Sequence, residues 1–213
     1  MVYVHRGLKR ALLTGYEPWG GMNSNPTMDV VGSYRGRKVG KIEVVTDVLP
    51  TSFRGAEERI QELIDRYGPD IVLELGLSGR RRKLKLEKQA RNVRYAHGAD
   101  NDGFRPRGGK ILQRGPDVHY ATMDMGYLNE RLNDEDIPAR LSTDAGRYVC
   151  NSAYYMTLNR IHQDGMDTKA GFMHMPWTTR YPREVIIQAR KRAGWPMEEK
   201  DVVRAVRVIL QET

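Results

Sequence analysis

Apolar positions in this chain follow two periods. In "TSFRGAEERIQELIDRYG" (51–68), Phe53, Ala56, Ile60, Leu63, Ile64 and Tyr67 recur three and four residues apart, one stripe of a helix. Thr51 or Ser52 is placed to cap its start and Gly68 to end it. The same period marks "MDMGYLNERLNDEDIP" (123–138), a stretch from about Tyr148 to His162, and "EEKDVVRAVRVILQ" (198–211). "RALLTG" (10–15), "KIEVVTDVLP" (41–50), "DIVLELGL" (70–77), "ARLSTD" (139–144) and "AGFMHMP" (170–176) read instead as strands. "DIVLELGL" is apolar almost throughout, as a buried parallel strand is. "KLKLEKQARN" (83–92) alternates and predicts an exposed or edge strand. "YEPWGGMNSNP" (16–26) is a loop, and 94–120, rich in Gly, Asp, Asn and Arg, is a long irregular region of the kind that often carries function. Strands alternating with helices predict an α/β protein with a largely parallel sheet, in one domain over 1–213.

Charge changes this picture little. The net charge is +8, but the one dense basic run is "GRRRKLK" (79–85), and acidic residues are spread through the rest. No zinc-finger spacing or aromatic RNA-binding signature accompanies it, so no nucleic-acid partner is expected. The run reads as a solvated edge that discourages strand pairing. No apolar run approaches the length of a membrane span, and the opening residues lack a signal-peptide pattern. One cysteine rules out an internal disulfide framework. These features predict a cytoplasmic protein with no membrane partner.

Several site motifs fail on single residues. Gly15 and Gly20 stand like the glycines of a phosphate loop, but Gly21 and Met22 replace the lysine and hydroxyl residue that it needs. "GLSGR" (76–80) has Arg80 where a nucleophile elbow needs glycine. No His-Glu-x-x-His, paired cysteines or calcium loop is present, so neither metal nor cofactor is expected.

The lone cysteine, Cys150 in "DAGRYVC", falls in the first turn of a predicted helix. Positive partial charge there favours a thiolate, and the first-turn N–H groups are available to an oxyanion. A base working near neutral pH is a histidine. Of His5, His97, His119, His162 and His174, the last ends an apolar strand, where α/β sheets build their sites. His162 lies about 18 Å along the helix from Cys150, too far to act. Glu87, Glu74 or one of several other carboxylates could orient His174, and spacing does not choose among them.

Four segments, in order, resemble the cysteine-type pyroglutamyl peptidases. They are "TGYEPWGGMNSNP" (14–26), "ELGLSGRRRKLKLEKQARN" (74–92), "STDAGRYVCNSAYYMTL" (142–158) and "AGFMHMP" (170–176). The resemblance implies a three-layer α/β/α sandwich around a mixed, largely parallel sheet. It implies a hydrolase that removes N-terminal pyroglutamate from peptides through a thioester on Cys150, with His174 as base and acid and Glu87 as its orienter. It assigns Tyr16 and Trp19 to the substrate ring, in place of the family's two phenylalanines, and implies a homo-oligomer without metal or cofactor. The alternative is a catalytically silent relative that binds a capped N-terminus or a small lactam. Were the basic run near the cleft, acidic residues after the pyroglutamate would be preferred.

Overall fold

A computed structural model of the chain describes residues 7–78, 82–181 and 196–213. His5, Arg80 and Arg81 lie outside the described residues. The apolar runs become strands β1 (Lys9–Tyr16), β3 (Ile42–Leu49), β4 (Ile71–Leu77), β8 (Ala139–Ser142) and β9 (Lys169–Met175). Shorter strands are β2 (Lys38–Val39), β5 (Leu84–Glu87), β6 (Gln89–Arg91) and β7 (Val118–Tyr120). Helices are α1 (Pro26–Gly32), α2 (Phe53–Tyr67), α3 (Met125–Asp134), α4 (Val149–Gln163) and α5 (Glu199–Glu212).

Seven strands form one sheet in the order β2-β3-β1-β4-β9-β5-β8. The pairs β3–β1, β1–β4, β4–β9 and β5–β8 are parallel; β2–β3 and β9–β5 are antiparallel. Side chains alternate between faces, so neighbours on β1 enter different cores. Ala11 and Leu13 join α1, α3 and α5 on one face, through Val30, Leu128, Val206 and Ile209. Leu12 and Tyr16 join α2 and α4 on the other, through Phe53, Ile60, Leu63, Tyr154 and Leu158. This is the expected three-layer α/β/α sandwich.

Two expectations change in detail. Ser52 is the N-cap residue of α2, but its side chain makes no capping bond. The Phe53 N–H donates instead to Asp100 Oδ2 (2.9 Å), a cap from the distant 94–120 region. Gly68 ends α2 as expected, with φ 48°. The segment 83–92 is not an exposed edge: β5 is buried along its length between β9 and β8, and β6 leaves the sheet to pair with β7. Its alternation was real, with Leu84 and Leu86 in the core under α3 and α5. Its charged residues, Lys85 and Glu87, are buried as an ion pair rather than solvated. Of the basic run, Arg82 and Lys83 are exposed.

Candidate active site

The first loop is held by its own polar residues. Asn25 caps α1 by accepting from the Thr27 N–H, and Pro26 follows where its missing N–H costs nothing. Asn25 Nδ2 donates to the Glu17 carbonyl and Asn101 Nδ2 to the Pro18 carbonyl. Asp100 Oδ1 accepts from the N–H groups of Asp102 and Phe104, which folds the irregular segment into a fixed turn. The Tyr95 N–H donates to the Arg147 carbonyl (2.8 Å). The opening loop, the 94–104 segment and the segment before α4 are thereby joined. Between them lies a cavity of about 580 Å³ lined by Trp19, Tyr95, His97, Gly146, Arg147 and Tyr148, among others.

Cys150 is the second residue of α4. Gly146, at φ 85°, makes the turn into the helix, and its N–H donates to Asp144 Oδ1. Such a φ favours glycine. Tyr148 offers the helix start no side-chain cap. The next residue, Asn151, is fully buried. It accepts from the Arg91 N–H and donates to the carbonyls of Arg91 and Val93, which zips β6 to α4.

His174 sits at the carboxyl end of β9. Its Nδ1 is 2.8 Å from Glu87 Oε1, and both residues are buried. Gly76, its register partner on β4, makes room: a Cβ there would lie 2.7 Å from the Phe172 ring and 2.9 Å from the His174 ring. The Phe172 ring contacts both His174 (4.7 Å between centroids) and Tyr154 (5.4 Å). Tyr154 lies one helical turn after Cys150, on the same side of α4, and donates to the Glu87 carbonyl. This stack brings the start of α4 over the strand end that carries His174.

Burial would raise the Glu87 carboxyl, but hydrogen bonding and charge from His174, with help from Ser142 and Lys85, leave it below its usual value. Glu74, the other candidate, is not the orienter. It is wholly buried, accepts from Tyr16 Oη (3.2 Å) and Thr157 Oγ1 (2.7 Å), and is pushed up to about 7 by burial.

Cys150 departs from the expected activated thiolate. The residue keeps partial exposure, yet burial pushes its thiol up to about 12, and the charges of Glu74 and Glu87 add to the rise. The residue's own N–H opposes this without reversing it. Desolvation outweighs the helix N-terminus here.

The other described histidines are elsewhere. His119 stacks on His162 (4.9 Å between centroids) on the flank of α4, and His97 is exposed at the cavity. Trp19 lines the cavity, but Tyr16 is 2% exposed and tied to Glu74 beneath it. Lys85, Asp100 and Asn151 organise the site without a motif to mark them; a lysine two residues before the glutamate, on the same strand face, was the one visible signal. Among the described residues, no group of three or more His, Cys, Asp or Glu is placed to hold a metal ion.

A sequence model described as pyroglutamyl peptidase matches residues 9–212. The chain belongs to the pyroglutamyl peptidase family. A pyrrolidone-carboxylate peptidase of Thermococcus onnurineus is 35% identical over 202 residues, covering 95% of this chain and 97% of that protein. A solved pyrrolidone carboxyl peptidase of Thermococcus litoralis superposes with a TM-score of 0.89 at 30% identity, covering 96% of this chain and 92% of that one. Pyroglutamyl peptidase I of Bacillus amyloliquefaciens gives 0.87 at 28%, covering 95% and 93%. Family membership accounts for the shared order of the four segments.

Proposed function

We propose that this chain is a cysteine peptidase that hydrolyses the amide bond after an N-terminal pyroglutamyl residue. The observation that carries the proposal is the buried His174–Glu87 hydrogen bond beneath the start of α4, in a chain of this family. Glu87 engages Nδ1, which leaves Nε2 free to serve as the base. A thiol held at about 12 is protonated at neutral pH, so it reacts by giving its proton to His174 as it attacks. Sγ bonds to the pyroglutamyl carbonyl carbon, and the oxyanion turns to the first-turn N–H groups of α4. The intermediate collapses, the C–N bond breaks, and the leaving amine takes the proton from His174. Water, deprotonated by the same imidazole, then splits the thioester and restores the thiol.

The pyroglutamyl ring is uncharged and has no α-amine. The cavity between Trp19 and Tyr148 offers it aromatic faces. The nucleophile must stay reduced, which suits a cytoplasmic enzyme. Among the described residues no helix is long and apolar enough to cross a membrane. Assembly into a homo-oligomer is part of the same proposal and rests on the family likeness.

The test is release of a fluorophore from a pyroglutamyl amide under reducing conditions, beside an alanyl amide and the Cys150→Ala variant. Release from the pyroglutamyl amide alone, abolished in the variant, is the expected result. Release that survives loss of Cys150 overturns the mechanism; no release from the folded, reduced protein overturns the substrate.

A further inference from the structure

One buried cation stands behind the dyad. The Lys85 side chain is only 11% exposed, and its Nζ lies 2.9 Å from Glu87 Oε1, the oxygen that faces His174 Nδ1 at 2.8 Å. The ammonium also donates to the Asp144 carbonyl at 3.2 Å, in the segment that leads into Cys150. Lys85 is the register partner of His174 across the β5–β9 pair, so backbone pairing sets this arrangement. A buried lysine is costly unless paired, and a surface-seeking side chain of this length is held inward only by strong partners.

We infer that Lys85 is a positioning residue: sharing one Glu87 oxygen with His174, it weakens that carboxylate's hold on a proton at His174 and ties the segment before Cys150 to β5. The inference rests on the peptidase reading for its catalytic consequence, though not for its electrostatics. A carboxylate alone would favour the imidazolium, which cannot accept the thiol proton. An ammonium on the same oxygen opposes that charge.

The groups facing Lys85 are few. Among the described residues they are Glu87 on its own strand, His174 on β9 and the Asp144 carbonyl. Arg140, its register partner on β8, is exposed and screened by solvent. The Asp144 carboxylate is engaged by the Gly146 N–H. No second buried cation in this set replaces Lys85.

The ammonium and the imidazole nitrogen touch the same oxygen, so they lie within about 6 Å, close enough for the positive charge to oppose a proton on the imidazole. The experiment follows the His174 Cε1–H NMR signal against pH, assigned by its loss in His174→Gln. The parent is compared with Lys85→Met, Lys85→Gln and Lys85→Arg. Gln keeps a donor for the Asp144 carbonyl should Met fail to fold. The expected result is an upward shift in the two neutral variants and return toward the parent in the arginine variant. The acidic limb of kcat/KM on a pyroglutamyl amide should shift with it, at unchanged KM. Neutral variants that titrate with the parent overturn the inference, as do Met and Arg variants that shift alike. A parent that titrates as expected but cleaves no pyroglutamyl amide sinks the peptidase reading alone.

Discussion

Glu74→Gln is the sharpest probe of the buried polar cluster of Glu74, Tyr16 and Thr157. Glu74 is fully buried, and burial pushes its carboxyl from 4.5 to about 7 against the opposing bonds from Thr157 and Tyr16. The unfolded chain ionises this group near its ordinary value, while the folded chain keeps the proton until pH 7. Stability from the neutral group is therefore fully present below pH 4.5 and is lost as pH rises through 7. A shift of this size corresponds to about 3 kcal/mol, reached above pH 8. Glutamine reproduces the protonated acid: its oxygen accepts from Thr157 Oγ1, and its amide donates to Tyr16 Oη. Urea unfolding of parent and variant, under reducing conditions from pH 5 to 8.5, isolates the group, because other titrations cancel in the difference. The variant's advantage should grow by about 2.5 kcal/mol across that range. A difference that stays flat would refute the reasoning, since it would mean that Glu74 ionises in the fold as it does in water. The change also removes a charge that raises the Cys150 thiol, so its alkylation above pH 7 should be faster in the variant.

Two further outcomes follow from the site. With its thiol at about 12, Cys150 should react with iodoacetamide at a rate that climbs with pH through 10; a plateau at or below pH 8 would show an activated thiolate instead. Gly146→Ala meets no atom within 4 Å, so its cost is that of holding φ 85° with a side chain, about 1–2 kcal/mol, read as a Tm lower by roughly 2–8 °C. An unchanged Tm would mean that the turn into α4 relaxes freely.

Much of the architecture was legible because it rests on short-range periodicity. The stripe through Phe53, Ile60 and Leu63 can face only one core, and the apolar run 71–77, interrupted by a charge only at Glu74, suits only a strand covered on both sides. Cys150 and His174 were likewise readable, since few residue types do this chemistry and both stand where a helix begins and a strand ends. The choice between Glu87 and Glu74 was not readable from spacing. Both lie on strands beside β9, and what separates them is which side chain meets Nδ1 across the sheet. The likeness to a family chose Glu87; the geometry places it there.

The burial of Lys85 was misread for the same reason. Charge along a sequence reports a preference for water, which holds only while no partner is in reach. In the folded sheet the antiparallel turn of β5 against β9 supplies Glu87 and His174 together, and the charges satisfy one another out of solvent. The thiol's state reversed similarly: position on a helix is a local property, but desolvation depends on everything packed around it. Sequence alone thus determined the layers and pointed to Cys150 and His174 as the candidate pair, which depend on local pattern and intrinsic chemistry. Tertiary structure decided the orienting carboxylate, the cation behind it and the proton on the sulfur, because each depends on distances between residues far apart in the chain.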